Sequence, residues 1–241
     1  RGPNKVSNFF GIGNGMPFVN QGDKEISYSR TRYDLVTADV GLYPTYGTWH
    51  LNAGIGGQFY NSKADNNTIR FLKDYNAAHP NEDVFSTKWS VGLVGGAVYD
   101  TRNKGTLTTS GVYWNTMVNS MKAVNGSHNA YTQLLSEFSF YLNPDRDSVL
   151  IIANRTGGGT YFGNADYFQQ IKLGGPQTLR GYHTWRFTGR TMLYNNLELR
   201  LKVLDFTSYF LPGSIGIIGF NDISRVWSAT ASSNGWHDGC A

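Results

Sequence analysis

The residues of this chain best suited to chemistry are one arginine and two acids. Arg180 sits in the run Leu173-Gly-Gly-Pro-Gln-Thr-Leu-Arg-Gly-Tyr182, and Glu198 and Asp222 follow in two stretches that alternate apolar with polar residues. A guanidinium presents a planar fork of donors that carboxylates can share, so the trio suits ion pairing that fixes a loop, not bond-making. Gly174, Gly175 and Gly181, with Pro176, supply the backbone freedom for a sharp chain reversal. By spacing alone, a surface Gly-Pro turn with unrelated charges accounts for these residues equally well.

The elements that would position the trio are long strands. From Met192 to Val203, Leu193, Leu197, Leu199, Leu201 and Val203 share one face, interrupted by Asn195. Tyr194, Asn196, Glu198, Arg200 and Lys202 share the other. Trp49, Leu51, Ala53, Ile55, Gly57 and Phe59 likewise oppose His50, Asn52, Gln58 and Tyr60, and Leu134, Phe138, Phe140 and Leu142 oppose Glu137, Ser139 and Tyr141. Such period-2 runs predict strands near 24–43, 48–61, 87–101, 109–123, 130–143, 148–162, 190–205 and 213–227, with a shorter one near 5–12. Several have 13 or more residues, above the usual globular mode of about 5–6 and long enough to cross lipid at a tilt.

A soluble sheet also alternates, but its open face is richer in Lys and Glu. Here charged residues are only 16% of 241, against roughly 25% in soluble domains, while aromatics reach 15% and glycines number 29. These shifts predict an all-β fold, a transmembrane antiparallel β-barrel with the apolar face toward lipid and the polar face toward a lumen. The mean hydropathy of −0.37 is compatible with it, because alternation averages the apolar face away. No apolar run approaches the roughly 18 residues of a membrane-spanning helix.

Connections alternate short and long. Asn143-Pro-Asp-Arg-Asp147 and Leu211-Pro-Gly213 read as tight turns, and 61–85 and 163–189 as long loops. Barrels in the outer membrane put short turns on the periplasmic side and long loops outside. The 163–189 segment, which holds Arg180, is expected to fold into the lumen. Thr68–Ala78 predicts a short helix capped by Asn67 or Thr68.

Other chemistry is poorly supported. A net charge of +4 is scattered over strands and loops, where nucleic-acid binding needs a basic face. His50, His79, His128, His183 and His237 lie far apart, and the single Cys240 has no ligand-like neighbour. Gly11-Ile-Gly-Asn-Gly15 lacks the Lys-Ser/Thr of a phosphate loop, and no GxSxG element occurs. No catalytic residue, metal or cofactor is therefore expected.

The loop run Leu179-Arg180-Gly181-Tyr182 resembles the [V/L]RG[F/Y] motif of the BamA-type outer-membrane assembly superfamily, the bacterial surface antigen family. Asn196–Arg200 resembles the strand after that loop, and Phe220–Trp227 the next one, with Ser224 where glycine is usual. Tyr99-Asp-Thr-Arg102 followed by Gly111 is similar to an Asp-x-Arg strand-turn element. Asn8-Phe-Phe-Gly-Ile-Gly-Asn14 is similar to an element of Bacteroidota members fused to phosphoesterase domains. The resemblance covers nearly the whole chain in the family's order. It implies a bacterial outer-membrane location and makes Arg180 the lumen-inserted loop arginine, with Glu198 and Asp222 as partners. It also implies sixteen strands, so the chain is expected to be a single barrel domain over 1–241, incomplete at both ends, with about nine strands.

Three functional readings follow. The first is insertion of outer-membrane proteins or translocation of a passenger, with client proteins and the lipid bilayer as partners. The second is a catalytically silent anchor for a fused phosphoesterase or lipase. The third is a passive porin. POTRA domains upstream would favour assembly, and none lies in this sequence.

Overall fold

The computed structural model describes residues 5–15, 28–103, 107–125, 129–145, 149–206, 213–228 and 235–240. Residues 24–27 of the first expected strand, His128, and the Arg146–Asp147 and Leu211–Pro212 parts of the expected turns lie outside them.

Period-2 alternation becomes one antiparallel sheet. Its strands are β1 (Lys5–Asn8), β2 (Arg30–Leu42), β3 (Thr45–Tyr46), β4 (Trp49–Asn61), β5 (Thr87–Asp100), β6 (Gly111–Ala123), β7 (Ala130–Leu142) and β8 (Leu150–Gly163). After a short separate pair, β9 (Ile171–Leu173) and β10 (Phe187–Gly189), come β11 (Thr191–Phe206), β12 (Gly213–Trp227) and β13 (His237–Cys240). The pairing order is β1-β2-β4-β5-β6-β7-β8-β11-β12-β13, with β3 beside β4 and β9–β10 apart from the wall. The eight long strands run 13 to 16 residues.

The apolar faces are bare. Leu193 is 41% exposed, Leu197 36% and Leu199 50%, so no second protein layer among the described residues covers them. Aromatic residues border this face at two levels. Trp49, Tyr99 and Trp114 lie directly across from one another on β4, β5 and β6, with Trp49 and Tyr99 ring centroids 4.9 Å apart. At the long-loop end Phe59 meets Trp89 at 4.6 Å. From Trp49 to Phe59 is ten steps of about 3.3 Å; at a barrel tilt of about 35–45° that is a height of roughly 23–27 Å, which matches an apolar band of about 25 Å.

Polar residues on this outer face pair with one another. Asn154 and Asn195 exchange side-chain hydrogen bonds at 3.1 and 3.2 Å, and Asn195 also donates to the Thr156 hydroxyl at 2.6 Å. Thr116 meets Ser136, Ser120 meets Thr132 and Thr160 meets Thr191 at 2.8–2.9 Å. In hydrocarbon a polar group needs such a partner, because water supplies none.

The long-loop end carries extra structure. Helix α1 (Phe71–Ala78) buries Leu72 and Tyr75. Its N-cap is Arg70, which makes no side-chain cap bond. Neither expected cap, Asn67 or Thr68, holds that position, and Asn67 is engaged elsewhere: its amide accepts from the Arg32 N–H at 3.0 Å and donates to the carbonyls of Arg32 and Lys63 at 3.1 and 3.0 Å. The short strand expected near 5–12 ends at Asn8, and residues 9–14 instead cross the rim from β1 to β12 and β13. Gly13 N–H donates to Thr188 at 2.7 Å, and the Asn14 side chain donates to Gly235 O at 2.5 Å while accepting from Val226 N–H at 3.2 Å.

Candidate functional site: the lumen loop

Between β8 and β11 the chain turns inward, and two separate anchors hold it against the wall. The first anchor lies near the long-loop end. Phe168 stacks on Tyr60 with ring centroids 4.0 Å apart and planes at 8°, and Tyr167 joins Phe9, Tyr75 and Tyr60 in one buried cluster. Burial pushes the Tyr75 and Tyr167 hydroxyls well above the ordinary tyrosine range. Beside the cluster, Lys88 of β5 contacts Asp166 at 2.6 Å, with both side chains 4% exposed. Lys88 also donates to Glu82 O at 2.7 Å, and Gln169 donates to Gln58 of β4 at 2.8 Å. This anchor is dry.

The second anchor is built around Arg180. Gly174 and Gly175 adopt φ of +116° and +94°, and a Cβ on either would crowd the backbone of His183 and Arg186 or Thr184. The chain then turns over Pro176, with Thr178 and Leu179 N–H donating to Gly175 O. Leu179 is fully buried with Leu173, Phe187, Tyr194 and Val226. Gly181 has φ +86°, and Tyr182 packs on Phe187 and His237 at 5.7 Å.

Arg180 therefore points at the inner faces of β11 and β12. Its Nε and Nη2 donate to the two Asp222 oxygens at 2.7 and 2.5 Å, and its backbone N–H donates to the same carboxylate at 2.9 Å. Its Nη1 donates to Glu198 at 2.6 Å, and its guanidinium lies 3.8 Å over the Phe220 ring. The Asp222 carboxylate, then Glu198, holds this guanidinium charged more firmly than usual. Asp222 is fully buried while Arg180 is 23% exposed, so the anchor has one dry side and one wet side.

The structure brings Arg180, Glu198 and Asp222 of the sequence reading into one cluster, with Leu179, Gly181, Tyr182, Gly174, Gly175 and Pro176 on the same loop. The sequence reading did not single out the residues that extend the cluster. Arg200 donates to the second Glu198 oxygen at 2.7 and 3.0 Å and to Thr108 O, in the turn between β5 and β6, at 3.2 Å. Asn196 donates to Thr178 O at 3.1 Å and accepts from Arg155. Tyr194 donates to Glu137 at 2.5 Å. Alternation already put Arg200, Asn196 and Tyr194 on the face of Glu198. Nothing local marks Lys88 or Asp166. Among the described residues, no group of three or more His, Cys, Asp or Glu could hold a metal.

Long strands bare toward lipid, a polar interior and a loop held inside by ion pairs define an integral outer-membrane β-wall with an internal plug. The chain belongs to the Omp85 superfamily, whose domain profile matches residues 6–240. It lies in the bacterial outer membrane. Among solved structures it is similar to BamA from Haemophilus ducreyi lacking POTRA domains 1–3, with 17% identity, a TM-score of 0.61, and coverage of 83% of this chain and 43% of that one. The chain thus spans less than half the length of that relative. Comparison with curated proteins gives no match.

Proposed function

We propose that residues 1–241 belong to one barrel domain that acts in inserting outer-membrane proteins or translocating a passenger, with the 163–189 loop as its internal brace. One observation carries this reading: the four donor contacts and the ring contact that fasten Arg180 to β11 and β12. An open pore gains nothing from filling its lumen, whereas a wall that must hold its shape while strands elsewhere move gains a fixed internal support. The work is conformational, and the trio makes and breaks no covalent bond. Membership of a superfamily of membrane scaffolds supports the same view.

The test is insertion of a radiolabelled barrel client into liposomes by the full-length protein. Arg180→Ala should lower the insertion rate several-fold, because two carboxylates lose their shared donor, and Arg180→Lys should restore little, since an ammonium lacks the planar fork. Full activity of Arg180→Ala would overturn the reading. Linking Thr178 to Asn196 through a disulfide should leave insertion intact. Ion conductance undiminished by that link would point to a porin. Client insertion absent in every variant, beside an active fused hydrolase, would point to a silent anchor.

A further inference from the structure

On the outer face of the wall, just above the Phe59–Trp89 level, four cations gather on β2 and the loop after β4. We propose that this rim binds the phosphate of a lipid headgroup in the leaflet at the long-loop end. A cavity of about 200 Å³ opens there, lined by Arg32, Asp34, Asn61, Ser62, Lys63 and Asn66. Arg30 and Arg32 alternate with the buried Thr31 and Tyr33 and project outward, exposed. Arg70 joins them, its guanidinium donating to Arg30 O at 2.7 Å. The neighbouring charges of Arg32 and Arg30, added to a larger effect of burial, make the Arg70 guanidinium hold its proton less firmly than usual. The three guanidiniums thus share one field that an anion would relieve.

The group is built, not scattered. Asn67, fully buried, grips the backbone of both Arg32 and Lys63, and the Ser62 hydroxyl donates to Arg32 O at 3.1 Å. These bonds set two cations on either side of the cavity mouth. Guanidinium forks match phosphate oxygens in pairs, and lysine adds a point charge. Asp34 is the one carboxylate in the lining, so cations prevail. Height selects the source of the phosphate. Directly below, Val36 pairs with Phe59 and faces outward, offering acyl chains an apolar wall under a cationic rim. A soluble anion would have no use for that wall.

The test is native mass spectrometry of the full-length protein from nanodiscs of phosphatidylcholine containing a minor fraction of diphosphoryl lipid A. With each basic residue near a surface contributing on the scale known for anionic membranes, the Arg32→Gln/Lys63→Gln pair should weaken retention about thirtyfold. Asp34→Asn should strengthen it, and Lys122→Gln, outward on β6 but outside the cluster, should leave it unchanged. Heat-modified gel migration of each variant checks that the barrel is folded. Asn67→Ala, which keeps every charge, should weaken retention by releasing the geometry. Equal retention by the parent and the folded double variant would overturn the proposal, as would displacement of lipid A by inorganic phosphate at modest concentration, which would mark a free-anion site.

Discussion

The two anchors of the lumen loop solve one problem in opposite ways. At Asp166–Gln169 both members of the ion pair are buried, beside the stacked rings of Tyr60 and Phe168. At Arg180 the charges number four with Arg200, and the arginine keeps a solvent-exposed edge. Coulomb attraction at a few ångströms is several-fold stronger at an effective dielectric near 20 than in water, and burial makes a lost partner costlier still. The dry anchor is therefore a fixed post. The wet anchor is a clasp that can exchange partners, because Glu198 is already shared between Arg180 and Arg200 and water can take up a vacated donor.

Breaking the post should have the largest effect. Lys88→Met strands Asp166 without its cation, and a loss of about 3–5 kcal/mol is expected in denaturant unfolding from detergent micelles. Placing a charge on the lipid face behind the clasp comes next: Leu199→Arg should cost about 2–4 kcal/mol near mid-bilayer, whereas a soluble sheet would hardly register it. Opening the clasp itself with Arg180→Ala should cost about 1.5–3 kcal/mol through lost charge-assisted hydrogen bonds. Protease should then cut within 174–189 while 164–170 stays protected, and unchanged cleavage would count against the clasp. The smallest effect is expected at Asn195→Leu. Asn154 and Thr156 still bond each other at 3.2 Å, so the loss should stay near 0.6 kcal/mol, the average for membrane side-chain hydrogen bonds.

The wall was legible in the sequence because side chains alternate along a regular strand, so Trp49 to Phe59 declares its lipid face residue by residue; only the bulge between Lys202 and Leu204 of β11 breaks the pattern among the pairings of β11 with β12. The Asn195 interruption was visible, but its remedy was not, since Asn154 and Thr156 belong to another strand. For the clasp, residue types and alternation mark Glu198 and Asp222 as inward acids, and glycines mark the reversal before Arg180. The post left no trace: Lys88 and Asp166 are 78 residues apart, and each alone reads as an ordinary polar residue. The start of α1 was misjudged for a related reason. Asn67 has the chemistry of a cap, but a tertiary demand, the backbone of Arg32, takes its amide.

The clasp is tested most directly by a double-mutant cycle on unfolding free energy with Arg180→Ala, Asp222→Ala and both together. The two groups share three hydrogen bonds, one from a backbone N–H that survives in Arg180→Ala, so a coupling energy of about 1.5 kcal/mol or more is expected. Losses that add to within about 0.5 kcal/mol would show independent sites and contradict the account.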